Sequence, residues 1–417
     1  MHKTWIVTVT AAGLAVAALS LAPAARAGET AWVQYAADGP SVRVATDAAA
    51  CPEVVFDGAA VATTERAAPG DRFPRRTCTV AVPAGARSAA LSGDPLPVPS
   101  GRLERIVVIG DTGCRVKGDY VQACDDAAAW PFARIATAAA AERPDLVIHV
   151  GDYLYRETPC PPGEAGCAGS PSGDTWTTWR SDFFEPAAAL LGAAPWIVVR
   201  GNHEICERAG MGWTRFLGPQ STAGPCRTHD AAYTVTVGDL AFAVLDAAAA
   251  PDNALDPAVV ADLAPEFAAL AAAAAKAPTW LLVHKPMYSV VRVENGRGLG
   301  VSRTLAAAAG GAIPSDVRLA LSGHVHKFEA LDLSGGAVPQ LVVGNSGTAL
   351  DAAVPGDLAG IVVGDRVVTR GLEVHEFGYL VLERAGEDWD ATLKDPDGHP
   401  LATCTIDPGM LACRATK

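Results

Sequence analysis

Leu146-Val147-Ile148-His149-Val150-Gly151-Asp152-Tyr153-Leu154-Tyr155 is a nearly unbroken apolar run that stops on a Gly-Asp turn and resumes with two tyrosines. A short apolar run bounded by a turn reads as a buried strand, and a carboxylate at its end is offered to whatever binds there. The pattern recurs. Residues 106–109 lead to Gly110-Asp111-Thr112-Gly113, 195–199 to Gly201-Asn202-His203-Glu204, 280–283 to His284, and 317–321 to Gly323-His324-Val325-His326. Stretches 127–141 and 257–276 read as helices, and 240–245 adds a strand. Strand, donor-bearing turn and helix, repeated, give an α/β fold with its site at the carboxyl ends of the strands.

Oxygen and imidazole donors at five such turns suit a pair of metal ions. Two cations roughly 3.5–4 Å apart activate a water and clamp the phosphoryl oxygens of an ester. They require mixed oxygen and nitrogen donors and open coordination positions. Asp152, central in the motif order, is the natural bridge. Singly, each motif is weak: a Gly-Asp after a strand is usually a turn, and Tyr155 alone reads as a half-buried tyrosine. Gly-Asn-His-Glu and Gly-His-x-His are rarer, and the ordered set carries the reading.

These segments resemble the calcineurin-like metallophosphoesterase superfamily. Most members open with Asp-x-His, whose His binds the first metal; here that position is Gly113. Tyr155, in a Gly-Asp-x-x-Tyr pattern, stands in its place, which resembles the purple acid phosphatase branch, where a tyrosinate binds iron(III). A trivalent ion favours anionic oxygen and can deprotonate a phenol whose free pKa is about 10. The resemblance implies Asp111, Asp152, Tyr155 and His326 as ligands of metal one, and Asp152, Asn202, His284 and His324 as ligands of metal two. It implies Fe(III) at the Tyr155 site and Zn, Mn or Fe(II) at the second. His203 would face the phosphate or leaving group as electrostatic stabiliser or general acid. The nucleophile would be a metal-bound hydroxide attacking in line. The implied fold is two facing mixed β-sheets flanked by helices. After His326 the chain departs from the branch, with Lys327-Phe328-Glu329-Ala330 where Tyr-Glu-Arg is frequent.

Other polar residues have weaker claims. His149 reads as a core or supporting histidine, Arg200 as a possible support for its loop, and His229, His375 and His399 lie outside any motif. The segment 156–182, with Trp176 and Trp179, reads either as a wall of the substrate pocket or as a disulfide-tied loop with its tryptophans turned inward. Tyr288, Arg292, Arg297 and Arg303 could reach a phosphate, although surface arginines are the default.

The 417 residues carry a net charge of −13 and no long basic stretch, which argues against a dedicated nucleic-acid binder. Half the chain is hydrophobic, much of it alanine. Residues 1–27 read as a signal peptide: His2 and Lys3, an apolar stretch at 11–21, and the cleavage site Ala25-Arg26-Ala27. No later segment is expected to span a membrane, so the mature chain is expected to be exported to periplasm or medium without an anchor. Ten cysteines fall into five near-neighbour pairs, Cys51/Cys78, Cys114/Cys124, Cys160/Cys167, Cys206/Cys226 and Cys404/Cys413. An even count in an exported chain reads as disulfides, local pairing being the simplest of the possible connectivities. No Cys-x-x-Cys supports a zinc-thiolate cluster. Bridges beside the motifs are expected to stiffen the donor-bearing loops.

Residues 28–100 read as a small β-rich domain and Pro-rich linker, and 101–417 as the catalytic domain with closing strands at 372–395 and a disulfide-clipped C-terminus. The expected activity is hydrolysis of a small phosphoester, most like an acid phosphomonoesterase. A phosphodiesterase acting on nucleotides or glycerophosphodiesters shares the same core. A non-hydrolytic metal-binding or redox protein is the alternative from another class. No partner protein is indicated.

Overall fold

The computed structural model describes residues 28–416 apart from 296, 301, 311–312, 314–315 and 408–409. The expected signal segment, 1–27, lies outside the described residues.

Two large sheets face each other. In the first, Arg105–Ile109, Leu146–His149 and Trp196–Val198 run parallel, with Tyr379–Ala385 antiparallel on the outer side of Arg105–Ile109. In the second, Leu240–Leu245, Thr279–Val283, Val317–Ser322 and Gln340–Val343 are parallel. The apolar runs are continuous because both faces of these strands are covered. Ile106, Val108 and Ile148 meet Leu282, Leu321 and Val343 between the sheets. Val107, Ile109 and Val147 point the other way, onto Phe132, Ile135 and the aromatic layer of Trp179 and Phe183.

The helix expected over 127–141 forms only at Phe132–Ala141, starting after Pro131. Pro257–Ala274 begins as its sequence dictates, with the Asp256 side chain accepting from the N–H groups of Ala258 and Val259 and Pro257 in the first turn. Leu263, Phe267, Leu270 and Ala274 form its buried stripe. Contrary to the sequence expectation, this 18-residue helix is long and apolar enough to cross a membrane, with mean hydropathy 1.4. Alanine accounts for much of that value, and the stripe packs against the second sheet.

The β-rich N-terminal stretch continues the first sheet. Glu29–Ala36 pairs in parallel with Trp196–Val198, followed by Gly39–Thr46, Arg76–Ala81 and Thr64–Ala67. Buried Arg43 donates to the carbonyls of Phe216 and Gly218, and Arg66 to those of Thr214 and Gly218. These cations satisfy the carbonyl end of the helix Gly210–Phe216. The supposed linker contains a short strand, Asp94–Leu96. At the other end, Asp388–Lys394, Pro400–Asp407 and Met410–Ala415 extend the first sheet. All five cysteine pairs are bridged between near neighbours.

Candidate metal centre

Parallel strands from both sheets end at one edge, and there the five motifs converge. Asp111 and Asp152 each directly follow a glycine and have φ of 55° and 60°, and His324 has φ 71°. Such left-handed positions are uncommon for residues with a side chain and concentrate where a fold holds a site together. Asp111 accepts from the His324 N–H at 2.9 Å, and Asp152 from the His203 N–H at 2.8 Å.

The Tyr155 hydroxyl lies 2.8 Å from Asp111 Oδ1, 3.0 Å from Asp152 Oδ2 and 3.0 Å from His326 Nε2. On the other side of Asp152 Oδ2, His284 Nε2 is 3.2 Å away, and that nitrogen is 3.1 Å from Asn202 Oδ1. Donor atoms of Asp152, His284 and His324 all lie within 4.8 Å of one another. One oxygen of Asp152 thus stands between two donor groups. Backbone carbonyls aim the rings: Val150 O meets His284 Nδ1 at 2.8 Å and Ala349 O meets His326 Nδ1 at 3.1 Å, so each turns Nε2 inward.

All eight residues singled out from the sequence, Asp111, Asp152, Tyr155, Asn202, His203, His284, His324 and His326, meet in this cluster. The donor set fits cations. One phenol proton cannot satisfy two carboxylate oxygens and an imidazole at once. Burial first, then the charges of Asp111 and Asp152, hold the Tyr155 phenol well above its ordinary value, so a phenolate there requires a cation beside it. Position 113 has no room for a histidine: a Cβ would lie 2.7 Å from Tyr153 O and 2.8 Å from Tyr155 N. The backbone that delivers Tyr155 occupies the space a side chain at 113 would need.

Several supporting residues were not singled out from the sequence. Glu204 is fully buried and accepts from the N–H groups of Asp152, Tyr153, Leu154 and Gly201 at 2.9–3.2 Å. Burial, then the charge of Asp152, push its carboxyl up to about 8, while the Tyr153 and Leu154 N–H groups and the charge of His284 oppose that push. Its signal was present in Gly-Asn-His-Glu itself. Asp182 accepts from the N–H groups of Cys114, Tyr155 and Arg156 and pairs with the Arg156 guanidinium at 2.5 Å, tying the first two motifs together. Asp252 lies 3.1 Å from His324 Nε2 and 2.6 Å from Lys285 Nζ. Both aspartates come from segments with no pattern to mark them.

Other expectations resolve structurally. Trp176 and Trp179 are buried against Phe183, Phe184 and Phe216, so the tryptophans turn inward. Lys327 and Glu329 are buried and pair at 3.5 Å, so the departure from Tyr-Glu-Arg lies in the core. His149 is a core histidine, stacked on Tyr153 and 3.0 Å from Thr112 Oγ1. Arg200 pairs with Asp246 and donates to Glu204 O, supporting its loop. Tyr288 bonds Asp365 and Arg297 bonds Gly364 O.

With the cluster defined, comparison with known proteins is informative. The calcineurin-like phosphoesterase family model matches residues 104–328, more than half the chain and the whole span of the five motifs. The chain belongs to the calcineurin-like phosphoesterase family. That membership makes it a metal-dependent phosphoesterase and implies a binuclear centre. The fold is similar to that of a purple acid phosphatase from yellow lupin (Lupinus luteus) seeds, with a TM-score of 0.59 at 16% identity, covering 89% of this chain and 73% of that one. It is also similar to PhoD, with a TM-score of 0.57 at 14% identity, covering 94% and 92%. Among curated proteins, none matches this sequence at a significant level.

Proposed function

We propose that this calcineurin-like phosphoesterase is an exported phosphomonoesterase of the purple acid phosphatase type. The observation that carries the reading is Asp152 Oδ2 standing 3.0 Å from Tyr155 Oη and 3.2 Å from His284 Nε2, the place of a carboxylate shared between two cations. Asp111, Asp152, Tyr155 and His326 would hold one ion, iron(III) by the phenolate's preference, and Asp152, Asn202, His284 and His324 the other, zinc, manganese or iron(II). Bound there, the pair supplies Lewis acidity toward the phosphoryl oxygens and an acidified water.

The chain's own groups do the rest. Asp111 and Asp152 offset the positive charge. Glu204 fixes the two loops that carry Asp152 and Asn202. His203, held through Nδ1 by Leu154 O at 3.0 Å and through Nε2 by Arg208 at 2.7 Å, lines the substrate side of the cluster, where a proton taken up at Nε2 would let it stabilise the phosphoryl oxygens or protonate the leaving oxygen. Five disulfides fit folding in an oxidising compartment, which supports export to periplasm or medium after cleavage near Ala27.

The test is hydrolysis of an aryl phosphate monoester and the matching bis-aryl diester by the purified protein, with Asp152→Asn as control. Faster monoester cleavage, reduced by at least about 10²–10³-fold in the control, is expected. Faster diester cleavage would replace the reading with a phosphodiesterase on the same core. Full activity in Asp152→Asn would sink the mechanism.

A further inference from the structure

The mouth of the cluster carries a local charge opposite to that of the chain as a whole. Arg208 follows His203 by five residues, in the loop closed by Cys206–Cys226. Its Nη2 is 2.7 Å from His203 Nε2, and its Nη1 donates to Asn202 O at 3.1 Å. Nε and Nη2 also grip Glu157 at 3.1 and 2.5 Å. Of five N–H donors, these contacts commit four, leaving one on Nη1. Because Leu154 O can only accept, His203 carries its proton on Nδ1 and presents a bare Nε2 to the guanidinium. The imidazole therefore orients Arg208 as much as it faces the substrate.

Two further cations lie on the loop that follows the first motif. Lys117 Nζ lies 3.4 Å from the same Glu157, so one carboxylate serves two positive charges. Arg115, just past the first motif, stacks on the half-exposed ring of Tyr120 at 4.8 Å. Among the described residues it has no carboxylate at ion-pair distance, and its buried Nε has no hydrogen-bond partner. The backbone N–H of Arg115 and that of Ala349 both donate to Gln122 Oε1, and the Ala349 carbonyl meets His326 Nδ1, which brings Arg115 to the Tyr155 side of the cluster. Three cations against Glu157 and Asp351, which lies 3.7 Å from His326 Nδ1, leave the rim about one charge positive, in a chain of net charge −13.

We infer that Arg208 and Arg115, with Lys117 behind them, form a cationic rim that binds the non-bridging oxygens of the substrate phosphate and selects the dianion of a monoester over the monoanion of a diester. The inference rests on the phosphoesterase reading above. A guanidinium offers paired N–H groups to a phosphate, and a second negative charge on the ligand strengthens each such contact. The uncommitted Nη1 proton of Arg208 and the unpaired Arg115 are the groups available. The exposed Tyr120 ring beside Arg115 gives an aryl leaving group a surface to lie on.

The test compares wild type, Arg208→Gln, Arg208→Lys and Arg115→Gln, each metal-loaded. Two readouts are taken: kcat/KM on the aryl monoester and the bis-aryl diester, and equilibrium binding of inorganic phosphate by calorimetry. Arg208→Gln is expected to raise the monoester KM and weaken phosphate binding by about ten- to hundred-fold, and to lower the monoester-to-diester ratio at least about ten-fold. Arg208→Lys should recover part of both losses, and Arg115→Gln should act in the same direction. Equal loss on both esters with unchanged phosphate affinity would overturn the rim. A wild type that cleaves neither ester would bring down the phosphoesterase reading and the rim with it.

Discussion

Glu204→Gln is the sharpest probe of how this centre is built, because it changes one atom in a side chain that is fully buried. Glu204 Oε1 accepts from Tyr153 N at 2.9 Å and Leu154 N at 3.2 Å; Oε2 accepts from Asp152 N and Gly201 N, both at 3.2 Å. Glutamine has one acceptor oxygen, and its amide nitrogen can only donate. Whichever way the amide turns, two backbone N–H groups face another donor. The longer contacts are the cheaper to lose, so the amide oxygen should keep Tyr153 and Leu154. Leaving two buried donors without partners costs about 1–3 kcal/mol each, or about 2–6 kcal/mol together, and the loss falls on the turns carrying Asp152 and Asn202. Urea unfolding measures the stability change, and competition against a chelator measures metal affinity. Both should fall. A stability loss below about 1 kcal/mol with unaltered metal affinity would refute the idea that this carboxylate holds the two loops together.

Three further outcomes follow from the same geometry. Tyr155→Phe should remove the visible absorption of iron-loaded protein, and an unchanged spectrum would exclude the phenolate as a ligand. Asp252→Asn should weaken metal binding by about 10–100-fold, since Asp252 orients His324 through Nε2; calorimetric titration with Zn²⁺ reads this directly, and unchanged affinity would leave Asp252 a surface contact. Deleting residues 28–100 should give an insoluble fragment, because it bares the Trp196–Val198 edge and strips Arg43 and Arg66 from the helix Gly210–Phe216. A soluble, cooperatively unfolding 101–417 fragment would show that the N-terminal strands are dispensable.

The strands bearing the motifs were legible because they are buried on both faces, leaving continuous apolar runs such as 146–150 and 317–321. The donors were legible because each sits on a turn at the end of such a run. Glu204 was in view but was passed over, since a sequence does not tell an acid that binds a ligand from one that binds four backbone amides. Asp182 and Asp252 were out of reach: they act across 27 and 72 residues on Tyr155 and His324, through contacts that exist only once the chain has folded. The N-terminal strands were read as strands, but their alternation says nothing about which sheet they join. That depended on a free edge at Trp196–Val198 and on Trp32 meeting Phe184 at 5.1 Å. Likewise, nothing in 127–131 marks the late start of the helix at Phe132 except Pro131.

The first sheet is open, and the order of its strands has a consequence for how the molecule matures. Its centre, Arg105–Ile109, is flanked on one side by Leu146–His149 and on the other by Tyr379–Ala385, a strand made some 270 residues later. The cluster itself waits for His324 and His326. A chain lengthening from its amino end therefore carries Asp111, Asp152 and Asn202 long before His284, His324 and His326 can join them, with one side of the central strand still unpaired. Local disulfides, spanning 7 to 27 residues, can form during that wait without committing distant parts of the chain to one another. Assembly of the centre is thus a terminal event, and the compartment that supplies its ions is the one in which the last strand is placed.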